Sequence, residues 1–180
     1  QYQNEVEKVI EQAECYLQKR IEMSHRAKQP QKLAVVLDID ETSLSNYAYM
    51  KKIDFARNTQ RLRPYLFLAD SAPIKPTLKL FKLAIRNNVS VFFITGRNET
   101  IRSATINNLN NAGYSGWKAL YFKPSTYQAN SVVAYKSEIR KKITEEGYDI
   151  VVNIGDQTSD LEGGYAERSF KLPNPYYFVS

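Results

Sequence analysis

The 180-residue chain has little of the chemistry that cysteine and histidine provide, with one residue of each. The single cysteine, Cys15, excludes an internal disulfide and a cysteine-based zinc site. The single histidine, His25, excludes the common histidine-rich metal sites and disfavours a Ser-His-Asp triad. No uncharged apolar stretch approaches about 18 residues, so the sequence predicts no transmembrane helix. These absences favour an active site built from oxygen ligands over thiolate or imidazole chemistry.

Positive charge is in excess, with 25 lysines and arginines against 19 acidic residues, a net charge of +6 and a pI of about 9.3. This balance favours an anionic partner, which could be nucleic acid, a membrane surface or a phosphorylated small molecule. Composition alone does not choose among the three. The length predicts one domain, with room for a small appendage.

Short apolar runs alternate with helical patterns along the chain. The runs predict strands at 33–39, 89–95, 119–122 and 150–154, with a weaker fifth at 168–172. Apolar residues at helical spacing predict helices at 2–28, 77–86, 98–112 and 137–146. Strands that alternate with helices of this length predict an α/β fold with a doubly wound parallel sheet.

One segment, at about 43–74, does not fit this alternation because it is aromatic, basic and too long for an ordinary strand-to-helix loop. We interpret it as a mostly helical insert over the carboxyl end of the first strand. The predicted organisation is therefore an N-terminal helix (1–30) that packs on a core of residues 31–180, with the insert as a small helical cap.

Acidic residues follow two of the predicted strands. Asp38 and Asp40 come two residues apart after the first strand, so that in extended backbone their side chains share a face. Asp156 and Asp160 follow the last long strand and would meet if a helical turn begins there. Carboxylates at one point repel unless a cation lies between them, and a set of oxygen ligands favours Mg²⁺. A carboxylate beside Mg²⁺ and a phosphate can also act as a nucleophile.

Groups suited to binding an anion follow the other strand ends. Thr95 offers a hydroxyl, and Gly96 allows a backbone N–H to approach an anion closely. Lys136 opens a predicted helix, where its charge and free N–H groups would face a phosphate. Other cations remain alternatives to Lys136, namely Arg97, Lys123, Lys141 and Lys142.

Five segments together carry a resemblance to a known family. They read VVLDIDETSLSN (35–46), FFITGR (92–97), AYKSEIRKKI (134–143), NIGDQTSDL (153–161) and FKLPNP (170–175). The sequence resembles the acid phosphatases of subfamily IIIB in the haloacid dehalogenase (HAD) superfamily, which include bacterial class B/C-type acid phosphatases and plant vegetative storage proteins. The Gln157-Thr158 pair and the Pro-Asn-Pro tail are more similar to the plant-like branch. The resemblance implies a three-layer, Rossmann-like HAD fold with a central parallel sheet.

The resemblance also implies a role for each matching acid. Asp38 corresponds to the nucleophile that becomes phosphoaspartate, and Asp40 to the general acid that later acts as the base on water. Mg²⁺ would be held by Asp156, the Asp38 carboxylate and the Asp40 carbonyl. Asp160 corresponds to a supporting acid that holds a metal-bound water or Lys136.

The remaining implied roles concern the substrate. Thr95, Gly96 and Lys136 would bind the phosphate. Three tyrosines are candidates for stacking on a base or aryl leaving group, although aromatic residues of such an insert more often form its core, and these are Tyr47, Tyr49 and Tyr176. The basic run from 51 to 63 is either a solvated face or a means of steering phosphate esters.

The predicted function is that of an Mg²⁺-dependent acid phosphatase acting on small phosphomonoesters, with nucleoside monophosphates, as in 5'-nucleotidases, among the candidate substrates. Two alternatives stay open within the fold, a storage or phosphate-binding relative of low activity and a phosphotransferase. A nucleic-acid-binding module is disfavoured because no known reader motif is present. The family implies a periplasmic or secreted protein, and a chain that begins at Gln1 fits either the removal of a leader or a sequence that has simply been trimmed. A homodimer is compatible with the sequence.

Overall fold

A computed structural model of the chain describes residues 2–53, 59–129 and 131–177. The helices are α1 (Tyr2–Arg26), α2 (Tyr47–Lys52), α3 (Thr59–Leu66), α4 (Lys75–Arg86), α5 (Arg102–Asn111) and α6 (Val133–Glu145). The strands are β1 (Lys32–Leu37), β2 (Leu44–Ser45), β3 (Ala72–Pro73), β4 (Ser90–Asn98), β5 (Ala119–Lys123), β6 (Tyr148–Gly155) and β7 (Ser169–Lys171). Single 3₁₀ turns occupy Glu99–Ile101 and Thr158–Asp160.

Five strands form one parallel sheet in the order β5-β4-β1-β6-β7. From the central strand β1 the chain proceeds to β4 and β5 on one side, and it then crosses over to β6 and β7 on the other side. In sheets of this kind, ligands bind beyond the carboxyl ends of the strands, at the point where the strand order reverses. The fold therefore directs attention to the residues that follow β1, β4 and β6.

Helices cover both faces of the sheet. Val35 and Leu37 of β1 belong to a core shared with α1, α4 and α5, whereas Ala34 and Val36 pack with Ile143 of α6 on the opposite face. The alternation follows from the two-residue period of a strand. Because both faces are covered, β1 is an almost continuous apolar run. The predicted α/β fold with a central parallel sheet is confirmed.

Helix α1 lies against the core along one stripe. Its buried residues recur every three or four positions and are Val6, Ile10, Ala13, Leu17 and Ile21. The ion pair between Arg20 and Glu167, at 2.7 Å, joins the helix to the segment before β7. None of the described helices has both the length and the apolar character needed to cross a bilayer.

The segment predicted to be an insert begins and ends at a short antiparallel pair. Leu44 of β2 lies opposite Pro73 of β3, and α2 and α3 lie between these two strands. The predicted range 43–74 includes residues 54–58, which lie outside the described residues. The division of the chain into core and cap stays a prediction.

Candidate active site

Asp38 lies immediately after the central strand. Its backbone N–H donates to the Ile154 carbonyl of β6 at 3.0 Å, which extends the ladder by one residue. The chain then reverses, because the Ile39 carbonyl accepts from the N–H groups of Ser43 and Leu44, and Glu41 takes a positive φ of 55°. This turn holds the Asp38 carboxylate at the point where the strand order reverses, with only 9% of its side chain exposed.

Lys136 joins Asp38 to Asp160. Its Nζ lies 2.7 Å from Asp38 Oδ1 and 2.5 Å from Asp160 Oδ1, and all three side chains are almost fully buried. Burial alone would lower the pKa of Lys136, but the two carboxylates outweigh it and raise that pKa above its usual value. Lys136 is therefore a fixed positive charge beside Asp38.

The structure corrects one detail of the Lys136 prediction. Helix α6 begins at Val133, so Lys136 lies in its first turn rather than at its start, and its N–H donates to the Val132 carbonyl. Lys136 therefore offers its ammonium group, not a free backbone N–H. Two of the alternative cations lie elsewhere, since Lys141 Nζ is 3.6 Å from Glu145 and Lys142 Nζ is 5.4 Å from the Tyr121 ring centroid.

Asp38, Asp156 and Asp160 bring their carboxylate oxygens within 4.8 Å of one another. The three negative charges face the single charge of Lys136. Burial and the neighbouring Asp160 raise the pKa of Asp38 and raise that of Asp156 to about 6. Repulsion of this kind is relieved by a divalent cation, and buried carboxylates are suitable ligands for a hard ion. The residues present therefore fit a divalent metal site.

Gly155 makes the approach of Asp160 to this cluster sterically possible. A Cβ at position 155 would lie 2.2 Å from Asp160 Cβ and 2.4 Å from its Oδ2. The Asp160 Oδ2 also accepts from the Gln157 N–H at 2.9 Å, which fixes the carboxylate in the turn after β6. Asp156 and Asp160, predicted to meet only if a turn begins there, are brought together by the 3₁₀ turn.

Asp156 is held by donors from three segments. Its Oδ1 accepts from the Thr42 hydroxyl at 3.2 Å. Its Oδ2 accepts from Gln157 Nε2 at 2.5 Å and from Asn174 Nδ2 at 2.7 Å. Both oxygens are thus engaged by neutral donors, and Asn174 comes from the C-terminal tail.

Asp40 points to a different partner from Asp38. Arg97 donates from Nε to Oδ2 at 2.9 Å and from Nη2 to Oδ1 at 2.7 Å, and Asn46 Nδ2 donates to Oδ1 at 2.6 Å. Burial raises the pKa of Asp40, but Arg97 outweighs it and the net shift is downward. The Asp40 side chain is 25% exposed, more open than that of Asp38. Asp40 is thus a carboxylate that Arg97 and Asn46 orient and whose ionised form is favoured.

Thr95 and Gly96 lie at the same edge of the sheet. The register pairs Leu37 with Phe93, which places Thr95 level with the turn that follows β1. Thr95 is fully buried and its Oγ1 accepts from the Arg97 N–H at 3.1 Å. Apart from its own chain neighbours, no atom of the described residues lies within 4 Å of a Cβ built on Gly96. Packing between protein groups therefore does not account for a glycine there.

The three predicted tyrosine contacts separate in the structure. Tyr47 and Tyr176 lie together, with ring centroids 5.4 Å apart, and Tyr2 packs on Tyr176 at 5.5 Å. Tyr49 is buried and stacks on Tyr65 at 5.0 Å. Tyr49 thus belongs to the packing of the insert, which was the alternative interpretation of its aromatic residues.

Sequence reasoning missed several residues that the fold brings to the site. Arg97, which directly follows Thr95 and Gly96, is considered in the sequence only as an alternative to Lys136, and its pairing with Asp40 in particular was not predicted. Asn174 was part of a matching segment, but nothing in that segment indicated its contact with Asp156. Tyr177 donates to Glu41 Oε2 at 2.8 Å, and burial together with Asp40 raises the pKa of Glu41 to about 8.

Comparisons with known proteins are consistent with this geometry. A profile of the HAD superfamily, subfamily IIIB (acid phosphatase), matches residues 1–180. Acid phosphatase 1 of Solanum lycopersicum is 37% identical over 148 residues, which cover 80% of this chain and 58% of that protein. Vegetative storage protein 2 of Arabidopsis thaliana is 35% identical over 150 residues, covering 80% and 56%. The chain thus spans less than two thirds of the length of these relatives.

A solved structure supports the fold. The class C acid phosphatase from Bacillus anthracis superposes with a TM-score of 0.74 at 20% identity, over 97% of this chain and 80% of that chain. At that identity the likeness concerns the fold alone.

Proposed function

Because the chain belongs to the acid phosphatases of HAD subfamily IIIB, we propose that it hydrolyses phosphomonoesters with Asp38 as the nucleophile. One observation carries the proposal. Asp38 lies at the carboxyl end of the central strand, 2.7 Å from the Lys136 ammonium and within 4.8 Å of two further carboxylates. A carboxylate so placed can approach phosphorus while the Lys136 ammonium neutralises negative charge on the phosphoryl oxygens.

In the first step, an Asp38 oxygen attacks phosphorus and the bond from phosphorus to the leaving oxygen breaks. Asp40, in its protonated form, gives its proton to that oxygen, and the phosphoryl group remains on Asp38. The equatorial oxygens of the phosphoryl group are bound by Lys136 Nζ, the Thr95 hydroxyl and the Gly96 N–H. Stabilising the negative charge on these oxygens is the main task of the protein in phosphoryl transfer.

In the second step, Asp40 removes a proton from water as the water oxygen attacks phosphorus. The bond to Asp38 breaks, and inorganic phosphate leaves. Arg97 favours the ionised form of Asp40, which is the form this step requires. The first step, by contrast, requires protonated Asp40, which Arg97 disfavours. Acidic conditions favour this protonation.

Mg²⁺ is the cation that we propose for the site, where it would neutralise phosphate oxygens during both steps. The Asp38 and Asp156 carboxylates and the Asp40 carbonyl would hold it. Asp160 also belongs to the carboxylate cluster, but its 2.5 Å ion pair with Lys136 supports the role of positioning that lysine.

Substrates in this proposal are small phosphomonoesters. The pair of Tyr47 and Tyr176, with Tyr47 44% exposed, supports an aryl or nucleoside leaving group that packs on these rings. Export to the periplasm or the cell exterior is proposed on the family alone, and cell fractionation tests it.

The decisive experiment measures hydrolysis of p-nitrophenyl phosphate and nucleoside monophosphates with Mg²⁺ or with EDTA. We expect turnover that requires the metal and disappears in Asp38→Asn. Metal-independent turnover, or equal turnover in Asp38→Asn after contaminating phosphatase has been excluded, would contradict the mechanism.

The second candidate is a storage protein of low activity. The similarity to vegetative storage protein 2 favours it. The same assay separates the two, because a storage role predicts negligible turnover by the native chain although Asp38, Asp40 and Asp156 are present.

A further inference from the structure

The C-terminal tail, residues 172–177, crosses the carboxyl edge of the sheet beside Asp156. The Leu172 N–H donates to the Gly155 carbonyl at 2.8 Å, which leads the chain away from β7 past the turn after β6. Two residues later, Asn174 Nδ2 reaches Asp156 Oδ2 at 2.7 Å. A side chain of the tail thus contacts the carboxylate cluster directly.

The orientation of the Asn174 amide is determined by its other contacts. Its Oδ1 accepts from the backbone N–H groups of Tyr176, at 2.9 Å, and Tyr177, at 3.3 Å. Because the oxygen is used by these two donors, the amide nitrogen is the group that faces Asp156. Asn174 can therefore act on Asp156 only as a donor.

Gln157, the residue that follows Asp156 in the chain, donates to the same carboxylate oxygen. Its Nε2 lies 2.5 Å from Asp156 Oδ2, whereas the contact to Oδ1 is the longer 3.2 Å bond from Thr42. Two amide donors on one oxygen restrict rotation of the carboxylate. They also stabilise its negative charge without adding a positive charge that would repel a cation.

The tail does not depend on Asn174 for its attachment. Tyr177 donates to Glu41 Oε2 at 2.8 Å, and the Tyr177 carbonyl accepts from Gln157 Nε2 at 3.4 Å. With Leu172 bound to Gly155, the tail is held at both ends. The contact between Asn174 and Asp156 therefore does more for the carboxylate than for the tail.

We propose that Asn174, together with Gln157, is a positioning residue that orients the Asp156 carboxylate for a divalent cation and thereby sets the affinity of the site. The inference rests on the proposed metal-dependent function and goes beyond it, because it makes the tail part of the metal site. Groups that hydrogen-bond to metal ligands commonly change metal affinity by about 10- to 100-fold when they are removed.

The experiment is calorimetric titration of the metal-free chain with MgCl₂ in the absence of substrate. Asn174→Ala removes both the amide donor to Asp156 and the amide oxygen that accepts from the tail backbone. Asn174→Ser keeps an oxygen that can accept from the Tyr176 N–H but is too short to reach Asp156. We expect the Kd for Mg²⁺ to rise about 10-fold or more in both variants. Tyr177→Phe is the matched control, since it removes the hydrogen bond between the tail and Glu41 and leaves every contact of Asp156 in place. Its Kd for Mg²⁺ should stay within about twofold of the native value, which is much less than the 10-fold rise expected for the Asn174 variants.

Two results would overturn the inference. One is a native Kd in folded Asn174→Ser, with folding checked by the melting temperature of the metal-free protein. The other is an equal loss of affinity in Tyr177→Phe, which would assign the effect to the tail as a whole. Failure of the native chain itself to bind Mg²⁺ would instead reject the metal-dependent function, and Asp156→Asn, which should abolish binding, shows that the titration reports this site.

Discussion

Arg97 binds both carboxylate oxygens of Asp40, with hydrogen bonds of 2.9 Å from Nε to Oδ2 and 2.7 Å from Nη2 to Oδ1. The guanidinium is buried and its Nη1 donates to Thr105 Oγ1 at 3.0 Å, so the arginine is itself held in place. A planar fork fixes both oxygens of a carboxylate, which a lysine ammonium cannot do. The proposed general acid is therefore oriented by a residue 57 positions away.

Arg97→Lys should lower kcat for p-nitrophenyl phosphate about 10-fold or more, because a misplaced acid and base loses part of the 10²- to 10⁴-fold contribution of proton transfer. KM should change much less, since Asp40 does not bind the phosphate in the proposed mechanism. Thr105→Val is the control, as it removes one bond to Arg97 and leaves both bonds to Asp40. A kcat in Arg97→Lys equal to that in Thr105→Val would argue against the positioning role.

Asp38→Asn should abolish turnover and leave the fold intact, because the amide has nearly the same shape but is not a nucleophile. The melting temperature of the metal-free variant should equal or exceed the native value. Burial and Asp160 disfavour the negative charge of Asp38, and the substitution removes that charge. Activity and melting curves on the same preparations test both statements. A variant that is inactive and also much less stable would mean that Asp38 is needed for the stability of the fold, so that its loss of activity would not show a nucleophile.

Much of this arrangement could be predicted from the sequence, and the exceptions have two physical causes. The apolar run of β1 and the periodic apolar residues of α1 are visible in the sequence, and Asp38 and Asp156 occur in recognisable segments. The pairing of Arg97 with Asp40 and of Asn174 with Asp156 leaves no such pattern, because each contact joins residues that are far apart in the sequence. The start of α6 was missed for a local reason, since Val132 makes no side-chain cap that would mark it.

Two glycines at the sheet edge should respond differently to alanine. Gly155→Ala brings a methyl group to 2.2 Å from Asp160 Cβ, and overpacking of this kind costs about 1–3 kcal/mol or more. In the described part of the chain, the methyl group of Gly96→Ala meets no atom within 4 Å beyond its chain neighbours, so the stability of this variant should stay within about 0.5 kcal/mol of native. Its KM should nevertheless rise, because the methyl group would hinder the approach of phosphate to the backbone. A destabilised Gly96→Ala, or native kinetics in that variant, would contradict the assignment of Gly96 to the phosphate site.

The contact between α1 and the core should depend on pH through Glu167. The hydrogen bond from Arg20, assisted by Tyr16, lowers the pKa of this carboxyl below its unfolded value. The stabilisation is therefore present above the unfolded pKa of about 4.3 and is lost as the pH falls through the folded pKa. Glu167→Gln should lower the unfolding free energy at pH 7 by at most about 1 kcal/mol, because the carboxylate is 35% exposed and screened by solvent. Urea denaturation at pH 7 and at pH 3 tests this, and a difference that persists unchanged at pH 3 would exclude the ionised pair as its cause.

Mg²⁺ should stabilise the folded chain as well as support its chemistry, because a ligand that binds only the folded state adds RT ln(1 + [L]/Kd) to its stability. At 100 times the Kd this amounts to about 2.7 kcal/mol. We expect the melting temperature to rise with MgCl₂, to return to its starting value with EDTA and to be insensitive to both in Asp156→Asn. NaCl at matched ionic strength controls for screening of the +6 net charge. An equal rise in NaCl, or in Asp156→Asn, would show that the cation acts on the surface and not on the cluster formed by Asp38, Asp156 and Asp160.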